Sequence, residues 1–292
     1  MSMSREMGRV SSTGDLYKIP VGSYSGLPLN MKLNNVPHSR LARNFIYQGA
    51  ADATVAAVQD PTVPRRMKLT CVVPELNPEM DTYRVGTMLE MVREVSSCLA
   101  DLGLRVKICI QGNMGEPGFT GMPLNLSGMA AIMRGMGWPD GMEGEKIFFG
   151  EVGEDEVQAE DDVFIIISPQ SMVGATIHVP LSRMVNAAAG RPFLLVNPSL
   201  RDRPSSGGLM SVRGREERMA FADSFKDVFN YRLVYPSSAS YYPIRGAVMK
   251  SGPRELYVVF ERVDNEKGEE YTPLATFEQD PDGRDISPLF GM

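Results

Sequence analysis

The chain has 292 residues, 43% hydrophobic content and a formal net charge of −6. That length holds one large domain with appendages or two small ones, and a core of that size needs no disulfide staples. The acidic balance argues against nucleic acid as the main partner but allows a local basic patch, and no apolar run reaches the length of a membrane span.

Residues 1–37 show no sustained period. Glycines and prolines punctuate them, and Tyr17, Tyr24, Leu27 and Leu29 are scattered among them. A purely disordered tail would hold fewer such groups, so the segment reads as an extended arm that lies along a surface, its own or a partner's. It is Ser- and Gly-rich with scattered Arg and Lys, a composition that overlaps with an organelle transit peptide, and it has no apolar signal-peptide core.

Residues 38–292 read as one α/β domain. A helix is expected over Ser39–Val58, with Pro61 beyond its end, and a strand over Met67–Val73. Asn77 and Pro78 suit the cap and first turn of the next helix. Its stripe of Val85, Met88, Leu89, Val92, Val95, Leu99 and Leu102 has three- and four-residue steps, and Gly103 is placed to end it. The strand Val106–Ile110 follows at once, and strand, helix, strand with short joints is the signature of a parallel sheet. Leu124–Met136 reads as a helix, Lys146–Phe149 as a strand, Val163–Ile167 as a buried strand, Val179–Ala189 as a helix and Phe193–Val196 as another buried strand. Arg215–Phe229 reads as a helix with Met219, Ala222, Phe225, Val228 and Phe229 on one face. Then the grammar changes: Arg232–Tyr235, Ala247–Lys250, Leu256–Glu261 and Thr272–Phe277 look like strands joined by turns, hence antiparallel pairing. The expected architecture is a three-layer, Rossmann-like, mostly parallel sheet with an antiparallel C-terminal extension.

The loop from Asn197 to Arg218 is the leading site candidate. It follows a buried strand, where open α/β sheets hold ligands, and it carries Arg201, Arg203, Arg213, Arg215 and Arg218. Guanidinium groups bind carboxylates and phosphates in a fork and also anchor protein interfaces, so an anion and a partner protein both remain open. Ser168-Pro-Gln170 and Asn197-Pro198 each end an apolar strand, which lets Gln170 and Asn197 face one crevice.

Other candidates are weaker. Gly112, Gly115, Gly118 and Gly121 follow a strand, but their spacing fits neither a dinucleotide fingerprint nor a P-loop. The acidic run from Glu143 to Asp162 matches no calcium loop and reads as a solvated connection, with Asp162 set apart because it precedes a buried strand. His38 and His178 have no nucleophile in a recognisable arrangement. Cys71, Cys98 and Cys109 form no Cys-x-x-Cys and fit buried thiols in a reducing compartment. No metal, cofactor or catalytic set is expected.

Asp161-Asp162-Val-Phe-Ile-Ile-Ile-Ser-Pro169 and Arg191-Pro-Phe-Leu-Leu-Val-Asn-Pro198 resemble a domain of unknown function of plant, algal and cyanobacterial proteins. Phe225-Lys-Asp-Val-Phe-Asn-Tyr231, Gly246-Ala-Val248 and the strand Leu256–Phe260 continue the resemblance, which covers Ser39 to Phe260. That family includes the chloroplast low photosystem II accumulation factors. The resemblance implies a plastid protein, in the stroma or on the stromal face of the thylakoid. It would be a non-enzymatic assembly factor or a peripheral subunit of a photosystem complex, with photosystem subunits or assembly intermediates as partners. This chain departs from the family in the late strand, Leu256-Tyr-Val-Val-Phe260, where a tryptophan is usual. The alternative is a nucleotide- or phosphometabolite-binding enzyme on a doubly wound sheet.

Overall fold

The computed structural model describes residues 32–34, 38–72, 82–112, 126–138, 141–171, 177–201, 214–237, 243–266 and 268–292; for 82–85 it gives the backbone alone. The expected contacts of Tyr17, Tyr24, Leu27 and Leu29, the cap at Asn77, the glycines from 115 to 121, and Arg203 and Arg213 lie outside the described residues.

The chain order is α1 (Arg40–Gln59), β1 (Arg66–Val72), α2 (Thr82–Asp101), β2 (Val106–Ile110), α3 (Leu126–Gly135), β3 (Ile147–Glu151), β4 (Val163–Ile167), α4 (His178–Ala187), β5 (Phe193–Val196), α5 (Arg215–Asp223), β6 (Lys226–Val234), β7 (Gly246–Lys250), β8 (Tyr257–Asn265), β9 (Gly268–Phe277) and a short α6 (Gly283–Ile286). The nine strands form one mixed sheet in the order β3-β2-β4-β5-β1-β6-β7-β8-β9. The expected α/β architecture, parallel first and antiparallel towards the C-terminus, is what the chain adopts. Backbone contacts divide it into two compact units.

One unit comprises the described residues within 58–69 and 76–227. Its strands pair in parallel, β2 with β3 and β4, and β5 with β4 and β1. Cys109, Phe164, Ile166, Phe193 and Leu195 point to one face, where Leu181, Met184 and Val185 of α4 and Phe221 and Ala222 of α5 cover them. The alternate residues Ile108, Ile110, Ile165, Ile167, Leu194 and Val196 are fully buried too, so the other face is covered as well; there α2 and α3 pack on each other and on β2. That makes three layers. It also explains why β4 and β5 are uniformly apolar rather than alternating. Gly103 ends the α2 segment with φ +84, the left-handed C-cap conformation that glycine adopts without strain.

The other unit comprises the described residues within 1–57, 70–75 and 228–292. β6, β7, β8 and β9 pair antiparallel in sequence order. Val234, Val248, Tyr257, Val259 and Ile286 form a core against Phe277, Leu289 and Phe290. α1 buries a small-residue face, including Ala42, Ala50, Ala53 and Ala57. The end of the N-terminal segment is anchored here. Leu33 is fully buried, the Asn34 amide donates to Glu269 Oε2 at 3.0 Å, and Asn34 Oδ1 accepts from the Ile244 amide at 2.9 Å. β9 lies at the end of the sheet; its pairing with β8 shifts register between Val259 and Phe260, and Pro273 sits opposite Phe260.

One element is a correction. The helix expected over Arg215–Phe229 stops at Asp223, and residues 226–234 are strand. β6 is buried on both faces, so Phe225, Val228, Phe229 and Tyr231 are all buried, and apolar residues on two faces of a strand imitate one face of a helix. Ser224 closes α5, its hydroxyl donating to the Phe221 carbonyl at 2.6 Å. α6 was not expected at all. Its sequence signal is a capping box in which the Asp282 carboxylate accepts from the amides of Arg284 and Asp285, and Asp285 answers to the Asp282 amide.

Candidate functional site at the carboxyl ends of the parallel strands

Three exits gather at the carboxyl edge of the parallel strands: Gln111 after β2, Ser168-Pro169-Gln170 after β4 and Asn197-Pro198-Ser199 after β5. The β4 and β5 exits repeat each other. Ser168 has φ 42 and Asn197 has φ 47, left-handed conformations that cost non-glycine residues of order 1–3 kcal/mol each, and a following proline disfavours any helical conformation further. Surrounding bonds hold both in place. The Ser168 amide donates to the Val196 carbonyl at 2.8 Å, and the Asn197 amide to the Leu69 carbonyl at 2.8 Å. Beyond the prolines the two segments pair again, Gln170 opposite Ser199, with the Ser199 amide on the Pro169 carbonyl at 2.9 Å and the Ser171 amide on the Ser199 carbonyl at 3.0 Å. The Ser168 hydroxyl, buried, donates to Met88 Sδ at 3.2 Å.

Gln111 ties in the third exit. It is 9% exposed, and its Oε1 accepts the Gln170 amide at 2.9 Å. The connections of β2 and β4 leave for opposite faces, since right-handed crossovers put α3 on one side and α4 on the other. Gln111 and Gln170 therefore span a topological switch point, where doubly wound sheets hold ligands. The sequence pointed to Gln170 and Asn197 and missed Gln111 and Ser168. The repeated residue-then-proline exit was the available signal for Ser168. For Gln111 the only signal was its place directly after an apolar strand. The site presents the side-chain amides of Gln170 and Asn197, groups that bind and orient.

The arginines are spread along α5. Arg201 forms an ion pair with Asp223, the last residue of α5, whereas Arg215 is its first. At 1.5 Å per residue, those two anchor points are about 12 Å apart along the axis. Gly214, with φ 77, starts the helix. Arg215 is exposed and Arg218 half-buried, and Glu216 and Glu217 share the first turn. The described arginines thus line a helix of mixed charge, and no buried residue belongs to α5.

A second polar network lies at the opposite, amino edge. Asp161 is 1% exposed. Its carboxylate accepts Arg105 Nε at 3.0 Å and the Gln158 amide at 3.0 Å. Asp162 takes the Arg105 amide at 2.8 Å. Arg191 donates to the carbonyls of Gln158 and Asp161, both at 2.7 Å, and to those of Ala187 and Ala188 at the end of α4. The rest of the acidic run is partly matched by cations: Glu156 with Lys107 at 2.9 Å, Glu154 with Arg183 at 3.8 Å, and Glu143 with Arg134. Among the described residues no group of three metal-ligating side chains gathers, and no helix is long and apolar enough to cross a membrane.

His38 Nε2 lies 2.8 Å from the Leu33 carbonyl, and the His178 ring stacks edge-on against Phe221 at 4.8 Å. Cys71 and Cys109 are buried and Cys98 half-buried. Burial pushes the Cys109 thiol well above its ordinary pKa, against the pull of nearby Lys107. That is the opposite of nucleophile activation.

A family model described as Domain of unknown function (DUF1995) matches residues 42–287. The chain belongs to this family. The DUF1995 match takes in both edges of the parallel strands, the antiparallel strands and α6. Within it, the two motifs on which the sequence resemblance rests bring Asp161 to Arg191 at the amino edge and Ser168 to Asn197 at the carboxyl edge. A further segment of that resemblance, at Gly246, has a steric basis: a Cβ there would stand 1.8 Å from the Phe260 carbonyl oxygen.

Proposed function

We propose that this DUF1995 chain is a non-enzymatic binding protein of the plastid, an assembly factor or peripheral subunit of a photosystem complex. It meets a protein partner at the carboxyl edge of its parallel strands and along α5. The observation that carries the reading is the pair of left-handed exits at Ser168 and Asn197, because strain of this kind is retained where surrounding structure holds a surface in one shape for binding. Arg201 and Arg215, exposed and anchored at the two ends of α5, are of the residue type that anchors interfaces. The plastid and photosystem parts rest on the resemblance of 161–169 and 191–198 to a family that includes the low photosystem II accumulation factors.

The test is co-purification from native thylakoids with tagged protein, wild type against Arg201→Ala plus Arg203→Ala. Photosystem subunits are expected with the wild type and at reduced yield with the variant. If the wild type brings down none of them, the reading fails.

A competing reading, a phosphometabolite-binding enzyme, is favoured by one observation, the switch point spanned by Gln111 and Gln170. It requires phosphorylated metabolites to raise the melting temperature, and Gln170→Ala to abolish the rise.

A further inference from the structure

We infer that the cleft between α4 and α5 at the amino end of β5 binds a small phosphate monoester. The cleft encloses about 390 Å³, within the range of small-ligand sites. Its floor is apolar, from Val185 and Phe193, and its walls carry Arg65, Arg66 and Arg191. Among the described residues no carboxylate lines it.

The donor inventory separates the three arginines. Each guanidinium has five N–H groups. Arg191 spends four contacts on the carbonyls of Gln158, Asp161, Ala187 and Ala188, so it caps α4 and fixes the wall. Arg65 makes one bond, from Nη1 to the Val58 carbonyl at 2.9 Å. Arg66 makes one, from Nη1 to Ser224 Oγ at 3.2 Å, and its guanidinium lies 5.8 Å from the centre of the Phe221 ring. Asp60, five residues before Arg65, accepts from the amide and hydroxyl of Thr62, and three further carboxylates of this unit are paired elsewhere: Asp161 to Arg105, Asp223 to Arg201 and Asp227 to Lys68. Arg65 and Arg66 therefore face the cleft as a local surplus of positive charge, with most of their donors unspent among the described residues.

Two neighbouring guanidiniums without a counter-charge repel each other, and an anion between them removes the repulsion. A tetrahedral oxyanion matches the fork geometry of guanidinium. The apolar floor beneath selects an anion that carries a carbon body over a bare inorganic ion. This site is independent of the carboxyl-edge surface proposed for protein docking.

The test is calorimetric titration of the full chain at fixed ionic strength with phenyl phosphate and with inorganic phosphate. Phenyl phosphate is expected to bind saturably at one site per chain, and more tightly than inorganic phosphate. Arg65→Gln plus Arg66→Gln is expected to weaken it about tenfold or more. Arg134→Gln, on α3 and covering the other face, is expected to leave it unchanged. Should the double variant not fold, Arg66→Lys keeps the charge, loses the fork and is expected to weaken binding alone. No saturable binding by the wild type, binding undiminished in the Arg65 and Arg66 variants, or equal loss in Arg134→Gln would each overturn the assignment.

Discussion

Arg191 donates to the backbone carbonyl of Asp161 at 2.7 Å, and this one bond joins the segments 161–169 and 191–198. Asp161 opens β4 and Arg191 opens β5, neighbouring strands that pair in parallel. The side chain of Asp161 turns the other way, to Arg105 at the start of β2. These two segments thus stitch together the amino ends of three strands.

Breaking that stitch should cost stability. Asp161→Ala leaves the Arg105 guanidinium and the Gln158 amide without their acceptor, and losing one partner of a buried pair costs about 3 kcal/mol. Arg191→Ala should cost about 2 kcal/mol through the lost charge-assisted bonds, and the double variant should lose less than the sum, because the two side chains serve one loop. Urea denaturation reads all three. A wild-type midpoint for Asp161→Ala would refute the structural role.

The left-handed exit at Asn197 predicts an ordering of substitutions. Asn197→Gly should fold with near wild-type stability, while Asn197→Val should lose about 2 kcal/mol, because a β-branched residue is strained at positive φ. Thermal melts of the two variants check this, and equal melting temperatures would contradict the backbone conformation. In the co-purification assay Asn197→Val should also lose partner.

Stability should fall steeply in alkali. Tyr271 is fully buried and its hydroxyl donates to Glu269 Oε2 at 2.5 Å. Burial, then the hydrogen bond and charge of Glu269, push its phenol well above the ordinary value. The native state therefore holds a proton that the unfolded state has lost, so the contribution of Tyr271 is complete below about pH 10 and declines as pH rises above it. Phenolate absorbance should show one tyrosine that stays protonated until the chain unfolds, and Tyr271→Phe should flatten the alkaline decline. A hyperbolic titration of every tyrosine in native protein would exclude this account.

Gly246→Ala should prevent folding of the antiparallel strands. A Cβ at 1.8 Å from the Phe260 carbonyl oxygen cannot be relieved by a side-chain rotation, because the obstacle is backbone in the paired strand β8. The expected cost exceeds the usual 1–3 kcal/mol of overpacking. Circular dichroism and a melt of the soluble fraction would decide; a folded variant of wild-type stability rules the contact out.

The parallel core was the most legible part of the chain. Val163–Ile167 and Phe193–Val196 are covered on both faces, so they stand out as uninterrupted apolar runs, and Val106–Ile110 is broken only by Lys107. The same property misled at Phe225 to Phe229, where a doubly buried strand directly follows a helix and shares its spacing. The site was half legible. Gln170 and Asn197 could be placed in one crevice because prolines mark both exits, whereas the Gln111–Gln170 bond depends on β2 lying beside β4, a neighbour relation that two intervening elements hide. Of the five arginines that follow one another in the sequence, Arg203 and Arg213 lie outside the described residues, and Arg201 and Arg215 are anchored at opposite ends of α5.

Pro273 has a consequence for the molecule in a crowd. A ten-residue strand at the end of a sheet is a template on which a second chain can crystallise its own backbone, the first step towards a fibril. Pro273 offers no donor to such a visitor, and it divides β9 into two stretches, each shorter than the roughly six residues that a stacked zipper needs. The register shift opposite, at Val259 and Phe260, bends the same place. The sheet is thereby finished at this end, and concentrated protein should stay dispersed where an uninterrupted β9 would gel.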